Sequence, residues 1–130
     1  MTTQQEASLA PSEHAVKERV LTYYQLVDAG DVARLVALFD PTATYHRPGY
    51  EPLCGHDALR RFYLQDRVID RGAHKVDRFV VDGAEVGVHG TFRGVLRDGR
   101  EITLRFADFF SLTPQLTFLR RDTFFFAPLV

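Results

Sequence analysis

The sequence has little that would support metal binding, disulfide formation or membrane insertion. Cys54 is the only cysteine in 130 residues, so neither an intrachain disulfide nor a cluster of thiolate ligands can form. No apolar run approaches the roughly 18 residues of a membrane span, and the polar start MTTQQEAS lacks the hydrophobic region of a signal peptide. None of the five histidines has metal-site spacing to a partner. These absences predict a cytoplasmic protein with no membrane contact and no metal.

An excess of charge of one sign is also lacking. Sixteen basic and seventeen acidic side chains give a net charge of −1, without a long run of either sign. A nucleic-acid surface needs a basic stripe, and none is visible. A glycine-rich phosphate loop and a dinucleotide fingerprint are missing as well. We therefore expect no nucleic-acid partner and no cofactor.

Aromatic residues are abundant although tryptophan is absent. The chain has 11 phenylalanines and 5 tyrosines, and 45% of its residues are hydrophobic. A chain of this size and composition can bury one core, so we expect a single domain over residues 12–130. Residues 1–11 are polar and small, which predicts a flexible N-terminal tail. The surplus of ring surface leaves two interpretations open, an aromatic-lined pocket or a dimer face.

Helical spacing dominates the first half of the chain. Ser12 is a candidate N-cap for a first helix, and Gly30 can supply its left-handed stop. Asp31 can cap a second helix over residues 32–39. A third helix is predicted from about residue 57 to residue 70. The first half should therefore form three helices.

Period-two alternation marks the strands. A short strand over residues 42–47 would place Tyr45 and Arg47 on one face and His46 on the other. Asp82-Gly83 and Asp98-Gly99 are strong signals for tight turns between later strands. Three helices followed by long antiparallel strands predict an α+β fold, with the helices covering one face of a curved, mostly antiparallel sheet. The later strands are predicted over residues 76–81, 85–96, 101–112 and 116–126.

The order of elements between Tyr23 and Tyr63 is a tyrosine-bearing helix, a tight break, a short helix, a polar strand and a third helix. Tyr23 precedes an Ala29-Gly30-Asp31 break, and Asp108 precedes a hydrophobic pair. Over residues 12–126 this arrangement resembles the nuclear transport factor two-like superfamily, of the ketosteroid isomerase-like or SnoaL-like polyketide cyclase type. The resemblance implies a cone-shaped domain that encloses one hydrophobic pocket.

The resemblance to ketosteroid isomerases also implies roles for two residues. Tyr23 and Asp108 match the pair that donates hydrogen bonds to a developing enolate oxygen in those enzymes. Their aspartate base, however, stands where this chain has Arg47 before Pro48, and a guanidinium cannot abstract a proton at neutral pH. In the epoxide-hydrolase branch Tyr45 matches a tyrosine, but Arg47 replaces an asparagine. Neither family mechanism is therefore expected unchanged.

Arg47 and Asp108 suggest a different division of roles. If both face the pocket about 4 Å apart, an effective dielectric near 20 gives an attraction of roughly 4 kcal/mol, which favours an ionised carboxylate. Asp108 would then be a general base that Arg47 orients, and Tyr23 and Arg47 would donate to an oxyanion. The alternative is a buried structural ion pair. The predicted substrate-binding residues are Tyr45, His46, Phe39, Tyr63, Phe106 and Phe110.

The histidines leave further alternatives open. Alternation turns His46 away from Arg47, whereas a strand bulge would turn it inward and make it a base. Alternation also places His89 and Arg93 on the surface, although an ungapped comparison with the family turns the face of Arg93 towards the pocket. The other three, His14, His56 and His74, are expected to be solvated bystanders.

Three functions are compatible with this reading. The first is a cofactor-independent enzyme that acts on a small hydrophobic carbonyl compound by enolisation, isomerisation, cyclisation or dehydration, by analogy with polyketide cyclases. The second is a non-catalytic ligand-binding module in which Arg47 clamps a carboxylate or phosphate. The third is an interaction subunit whose aromatic interior has no cavity. A homodimer through the outer face of the sheet is expected.

Overall fold

The first two helices begin and end at the predicted capping residues. A computed structural model describes residues 11–126, and in it α1 (Glu13–Ala29) follows Ser12, whose hydroxyl accepts a hydrogen bond from the N–H of Ala15 at 3.0 Å. α1 ends at Gly30, whose φ of 71° is left-handed and favours glycine. α2 (Val32–Ala37) is capped by Asp31 as expected.

The third helix is shorter than the sequence predicts. α3 (Gly55–Arg61) continues into one π-helical turn over Phe62–Asp66, and the chain is extended from Arg67. The prediction of a helix to residue 70 was wrong because Ile69 pairs with Leu96 of a neighbouring strand. The π-helical turn carries Phe62 and Tyr63, both of which are buried.

Within residues 11–126 the strands are β1 (Phe39–His46), β2 (Leu53–Cys54), β3 (Ile69–Asp82), β4 (Glu85–Leu96), β5 (Glu101–Leu112) and β6 (Phe118–Phe126). They form one six-stranded sheet in the order β2-β1-β6-β5-β4-β3. In this sheet β1 and β6 are parallel, and the other neighbours are antiparallel. The helices precede most of this curved sheet and pack on one face of it, so the predicted α+β class is confirmed.

Two strand boundaries differ from the prediction and affect the site. β1 begins at Phe39, which was assigned to the second helix, because Phe39 pairs with Phe118 of β6. β3 begins at Ile69 rather than at residue 76, so His74 lies within a strand and not in a loop. Both differences arise because the first residue of the strand pairs with a residue distant in sequence, Phe118 for Phe39 and Leu96 for Ile69.

Glycines allow β3, β4 and two aromatic rings to approach closely. A Cβ atom on Gly90 would lie 2.2 Å from the carbonyl oxygen of Lys75 and 2.9 Å from Cζ of Phe106. A Cβ atom on Gly72 would lie 2.2 Å from Cζ of Phe92. These two positions therefore need glycine for space rather than for backbone conformation.

The core lies between the helices and the inner face of the sheet. Its centre is the Tyr23 ring, whose centroid is 5.5 Å from that of Phe39 and 5.3 Å from that of Phe118, both in edge-to-face contact. The outer face of the sheet instead leaves Phe109, Phe124 and other large apolar side chains exposed. Within residues 11–126, no helix is both long enough and apolar enough to cross a membrane.

Candidate functional site

Three polar residues are buried on the inner face of β5 and β6. Within the described part of the chain, Asp108, Arg121 and Thr123 are the only buried side chains that are polar or charged and are not tyrosines. Asp108 pairs with Thr123 across the two strands, and Arg121 is two residues from Thr123 on the same face. Arg121 Nη2 donates to Asp108 Oδ2 at 2.8 Å, and the hydroxyls of Thr123 and Tyr24 also donate to this carboxylate. Both carboxylate oxygens are therefore occupied.

Arg121 stays charged in this environment. Burial alone would lower the pKa of its guanidinium, but the attraction of Asp108 and of the surrounding tyrosine oxygens outweighs burial and raises that pKa well above its usual value. The guanidinium carbon also lies 4.5 Å from the centroid of the Tyr45 ring and 5.0 Å from that of Tyr23. Arg121 is thus a fixed cation within the core.

Tyr23 and Tyr63 form a hydroxyl pair beside this cation. Their two oxygens are in hydrogen-bond contact, and Arg121 Nη1 donates to Tyr23 at 2.5 Å and more weakly to Tyr63 at 3.3 Å. Burial raises the pKa of both phenols, so both are protonated at neutral pH. Only one of the two hydroxyls can donate its hydrogen in the contact between them. Within residues 11–126, neither hydroxyl has another acceptor within hydrogen-bond distance. One O–H is therefore left for a ligand oxygen.

His74 and Asp28 form a second polar pair. Asp28, near the end of α1, accepts the backbone N–H of His74 at 2.9 Å and lies 2.6 Å from its Nδ1. A carboxylate can only accept, so Nδ1 carries a hydrogen and Nε2 is the unprotonated nitrogen of the neutral ring. Burial lowers the pKa of His74, partly opposed by the bond to Asp28. Nε2 makes no hydrogen bond within the described residues.

The two pairs meet at a small cavity between α1, the π-helical turn and the inner face of β3 to β6. Its volume is about 30 Å³, which is room for about one water molecule. A larger concavity of about 870 Å³ is an open depression on the outer face of the sheet. We regard the small cavity as the candidate site because the buried polar groups of the described residues converge there. It is lined by Val27, Arg47, Tyr63, Arg67, Ile69, His74, Phe92, Leu104, Phe106, Arg121, Thr123 and Phe125.

The expected pair between Arg47 and Asp108 is not formed; Arg121 takes that place. Arg47 instead donates to Tyr45 Oη at 3.4 Å, and its guanidinium lies 5.1 Å from the centroid of the Phe62 ring and 5.4 Å from that of Phe125. It lies just beyond the end of β1 and reaches the cavity from its rim. Arg121, which projects from the middle of β6, is nearer to Asp108.

The other predicted site residues occupy three kinds of position. Tyr63 and Phe106 line the cavity together with Arg47. Tyr45, Tyr23 and Asp108 are fully buried behind the lining and contact it by hydrogen bonds. Phe39 and Phe110 are packed within the aromatic core.

The histidines lie on different faces of the sheet. His46 lies on the outer face, with Nδ1 3.0 Å from Asp122 Oδ1 and no place at the cavity. His89 is also on the outer face, 3.2 Å from Arg105, and Arg93 is exposed, as simple alternation predicts. The ungapped family comparison for Arg93 was therefore wrong, and so was the prediction of His74 as a solvated bystander.

Sequence reasoning missed His74, Arg121 and Tyr24. For His74 a signal existed, since Gly72, His74 and Val76 alternate with Arg71, Lys75 and Asp77 as a strand would. No such signal distinguishes Arg121 from the adjacent Arg120, because a register irregularity in the pairing of β5 with β6 changes which of them faces inward. The similarity to ketosteroid isomerases singled out Tyr23 and gave no role to Tyr24, whose hydroxyl donates to Asp108.

A curved sheet covered on one face by helices, with a polar cluster on that inner face, defines an α+β domain of the nuclear transport factor two-like class. Within this class the chain belongs to the SnoaL-like domain family, whose sequence profile matches residues 20–114. No curated protein matches the sequence.

Several solved structures share the fold. SalBIII, described as an epoxide hydrolase/cyclase-like enzyme in pyran ring formation in the polyether salinomycin, is 22% identical, with a TM-score of 0.78 over 88% of this chain and 93% of its own. A protein of unknown function from Burkholderia pseudomallei is 20% identical, with a TM-score of 0.76 over 85% and 90% of the two chains. TerC, co-crystallised with polyporic acid, is 19% identical, with a TM-score of 0.74 over 85% and 91%.

Proposed function

We propose that this protein is a cofactor-independent acid–base enzyme that enolises a small, largely apolar carbonyl compound, as a step of isomerisation, cyclisation or dehydration. The observation that carries this proposal is the convergence of a neutral histidine and a spare phenol O–H on one interior cavity. A base and an oxyanion donor are the two groups that enolisation needs.

The base in this proposal is His74 rather than Asp108. His74 is a lining residue with Nε2 free, and Asp28 holds the ring by Nδ1. Nε2 takes a proton from the carbon next to the substrate carbonyl, and the electron pair of that C–H bond moves to form the enolate. The imidazolium then returns the proton to a carbon or to a leaving oxygen, so protons and charge balance over the cycle.

The oxyanion donors are the tyrosine pair and Arg121. The spare O–H of the pair can donate to the enolate oxygen, and Arg121 supports it through its bonds to both tyrosines. Because these groups are fixed and desolvated before the reaction, they stabilise developing charge without reorganising. Asp108 has both oxygens engaged, so its role here is to hold Arg121 and Tyr24 in position.

Substrate entry requires the cavity to expand. Its present volume of about 30 Å³ is far below the several hundred Å³ of ordinary ligand pockets. Arg47, Arg67 and Phe125 line it and are only half-buried, so they are the side chains free to move outward. We propose that they form the entrance.

Family membership supports cyclase or isomerase chemistry over other reactions. The SnoaL-like match covers most of the chain, and SalBIII, one of the proteins with a similar fold, is described as an epoxide hydrolase/cyclase-like enzyme. The alternative is a non-catalytic module that binds a small ligand in the same cavity. Arg47 favours this second candidate, because it lines the cavity and its hydrogen bond to Tyr45 leaves donors for a ligand anion.

Proton exchange distinguishes the two candidates. 4-Phenylbutan-2-one and phenylpyruvate, incubated with the protein in D2O, should exchange the hydrogens next to the carbonyl faster than in buffer, as followed by proton NMR. His74→Gln should lower that rate by about 10²-fold, the contribution typical of a general base. His14→Gln, on the exposed side of α1, is the matched control and should exchange as the wild type does. A rate for His74→Gln equal to that of the wild type would rule out this mechanism.

We also propose that two copies pair through the outer face of the sheet. Val80, Phe109, Phe124 and Phe126 are exposed on this face, and the rings of Phe109 and Phe124 are in edge-to-face contact at 5.9 Å. An apolar patch of this kind on a soluble domain marks a contact surface. Charges of both signs surround it, which suits a second copy of the same surface; they include Arg78, Asp82, Glu85 and Arg105.

A further inference from the structure

Three arginines reach the same interior cavity from different elements. Arg47 follows β1, Arg67 follows the π-helical turn, and Arg121 projects from β6. The three guanidinium groups therefore concentrate positive charge at a cavity with room for about one water molecule. Their convergence calls for an explanation in terms of charge.

Only one of these cations has an anionic partner. Arg121 is paired with Asp108 at 2.8 Å. Within residues 11–126, neither Arg47 nor Arg67 has a carboxylate oxygen within 4.0 Å. Arg47 lies against aromatic rings, and the guanidinium carbon of Arg67 is 5.6 Å from the centroid of the Tyr63 ring. Rings attract a cation but do not neutralise it.

The hydrogen bonds of the three arginines are also incomplete. The Nε atoms of Arg47, Arg67 and Arg121 are shielded from solvent and have no acceptor among the described residues. Arg121 is itself about 95% buried, since only 5% of its surface is exposed. Buried N–H donors are normally satisfied, and an unsatisfied group suggests a missing partner.

The remaining acidic groups near the cavity do not supply that partner. The Asp108 carboxylate already accepts from Arg121, Thr123 and Tyr24, and the Asp28 carboxylate is occupied by His74. His74 is neutral at neutral pH because burial lowers its pKa. Three guanidinium groups, two carboxylates and a neutral His74 leave an excess of about one positive charge around the cavity, and neither Arg47 nor Arg67 is paired with a carboxylate there.

From this geometry we infer that the natural ligand is an anion, specifically a small unsaturated or aromatic carboxylate. Its carboxylate would lie between Arg47 and Arg67, since guanidinium groups bind planar carboxylates through paired N–H donors. Its apolar body would face Phe92, Phe106 and Phe125, which line the same cavity. This inference rests on the proposed use of the cavity as the ligand site and adds the charge of the ligand.

Two probes of matched shape test whether binding depends on the negative charge of the ligand. Cinnamate and cinnamamide have nearly the same shape, but only cinnamate is an anion, and neither has a proton to exchange by enolisation. We expect the wild type to bind cinnamate at least about tenfold more tightly than cinnamamide by isothermal titration calorimetry. In NMR spectra of the wild type, cinnamate should also shift arginine Nε–H signals, a readout that needs no variant.

Substitution of the two unpaired arginines tests whether cinnamate binds in this cavity. Arg47→Gln and Arg67→Gln should each weaken cinnamate binding about tenfold and leave cinnamamide binding unchanged. Arg34→Gln is the control, because Arg34 lies on α2 with an exposed side chain paired only with Asp31. Equal binding of the two probes, no binding of cinnamate at millimolar concentration, or an equal loss in Arg34→Gln would each overturn the inference.

The outcomes separate this inference from the proposed enzymatic function. Cinnamate binding that depends on Arg47 and Arg67, together with no proton exchange of any ketone, would support an anion-binding module and remove the enzyme. Exchange that depends on His74 with 4-phenylbutan-2-one, together with no preference for cinnamate, would leave the enzyme and remove the anionic ligand.

Discussion

At the scale of single residues, burial determines what each titratable group can do. His74 is held neutral at the cavity, Arg121 is held charged beside Asp108, and the phenols of Tyr23 and Tyr63 are held protonated. The same side chains on the surface would titrate near their ordinary values. Protonation states therefore define the chemistry of the site as much as the positions of the side chains do.

The lowered pKa of His74 predicts a pH-dependent stability. The unfolded chain takes up a proton at His74 near pH 6.5, whereas the folded protein resists it until a lower pH. The unfolded state thus binds more protons in that window, and the free energy of unfolding falls as pH decreases below about 6.5. The contribution of this one residue is at most about 1.4 kcal/mol per pH unit.

Urea unfolding of the wild type and of His74→Gln from pH 8 to pH 5 measures this contribution. The advantage of the wild type over the variant should shrink as pH falls. His14→Gln, which removes an exposed histidine, should run parallel to the wild type at every pH. A wild type that keeps a constant advantage over His74→Gln would show that His74 titrates as it does in the unfolded chain.

Removing the buried charge of Asp108 should destabilise the protein much more than removing an exposed carboxylate. Asp108→Asn leaves the Arg121 guanidinium buried without an anion, which should lower the free energy of unfolding by about 3–5 kcal/mol. Asp98→Asn removes an exposed pair of the same 2.8 Å length, with Arg100, and should change stability too little to measure. Equal responses in urea unfolding would contradict the buried pair.

At the scale of elements, local chemistry predicted the limits that caps and tight turns determine, such as those of α1, β4 and β5, and not the limits that depend on pairing between strands. Ser12 and Gly30 bound α1 as expected, because capping depends on residues within one turn. The start of β3 was missed because it depends on pairing with the far end of β4, where Leu96 is the partner of Ile69. Because this boundary was missed, His74 was expected in a loop and its place at the cavity was not predicted.

For a similar reason, the sequence could not predict that Arg121, and not Arg120, faces the inner side of the sheet. Alternation is interrupted between Phe118, which is buried, and Arg121, which is also buried. Tertiary pairing with β5 decides where that interruption falls. The fold class could thus be predicted from local patterns and the resemblance, whereas the central cation of the site could not.

The close approach of β3 to β4 predicts the effect of enlarging Gly90. In Gly90→Ala the new methyl group would be 2.2 Å from a backbone oxygen of Lys75, which cannot turn away. We expect a loss of about 1–3 kcal/mol in thermal or urea unfolding. Gly87→Ala is the matched control on the same strand, because its methyl group would meet nothing closer than the exposed Phe109 ring, at 3.3 Å. A neutral Gly90→Ala would contradict the packing described here.

At the scale of the whole molecule, the two faces of the sheet have different tasks in this account. The inner face carries the desolvated polar cluster, and the outer face carries exposed apolar residues that suit a second copy. We assign the large depression on the outer face to the pairing of two copies, because its lining includes Val80 and Phe109 but no part of the buried ion pair.

Analytical ultracentrifugation tests the proposed homodimer. The wild type should sediment as a dimer at micromolar concentration, and Phe109→Glu combined with Phe124→Glu should sediment as a monomer, because burying the two carboxylates is unfavourable. Leu64→Glu is the control, since Leu64 is 55% exposed, like Phe124, but lies on the π-helical turn. A monomeric wild type, or a control that dissociates equally, would refute the pairing.

Both proposals for the inner face require that a ligand binds in the closed interior cavity. A crystal structure of the protein grown with cinnamate shows whether it does. We predict a carboxylate between Arg47 and Arg67, a phenyl ring against Phe106 near His74, and outward displacement of Phe125. Cinnamate on the outer face beside Phe109, with the interior cavity still at about 30 Å³, would contradict the account.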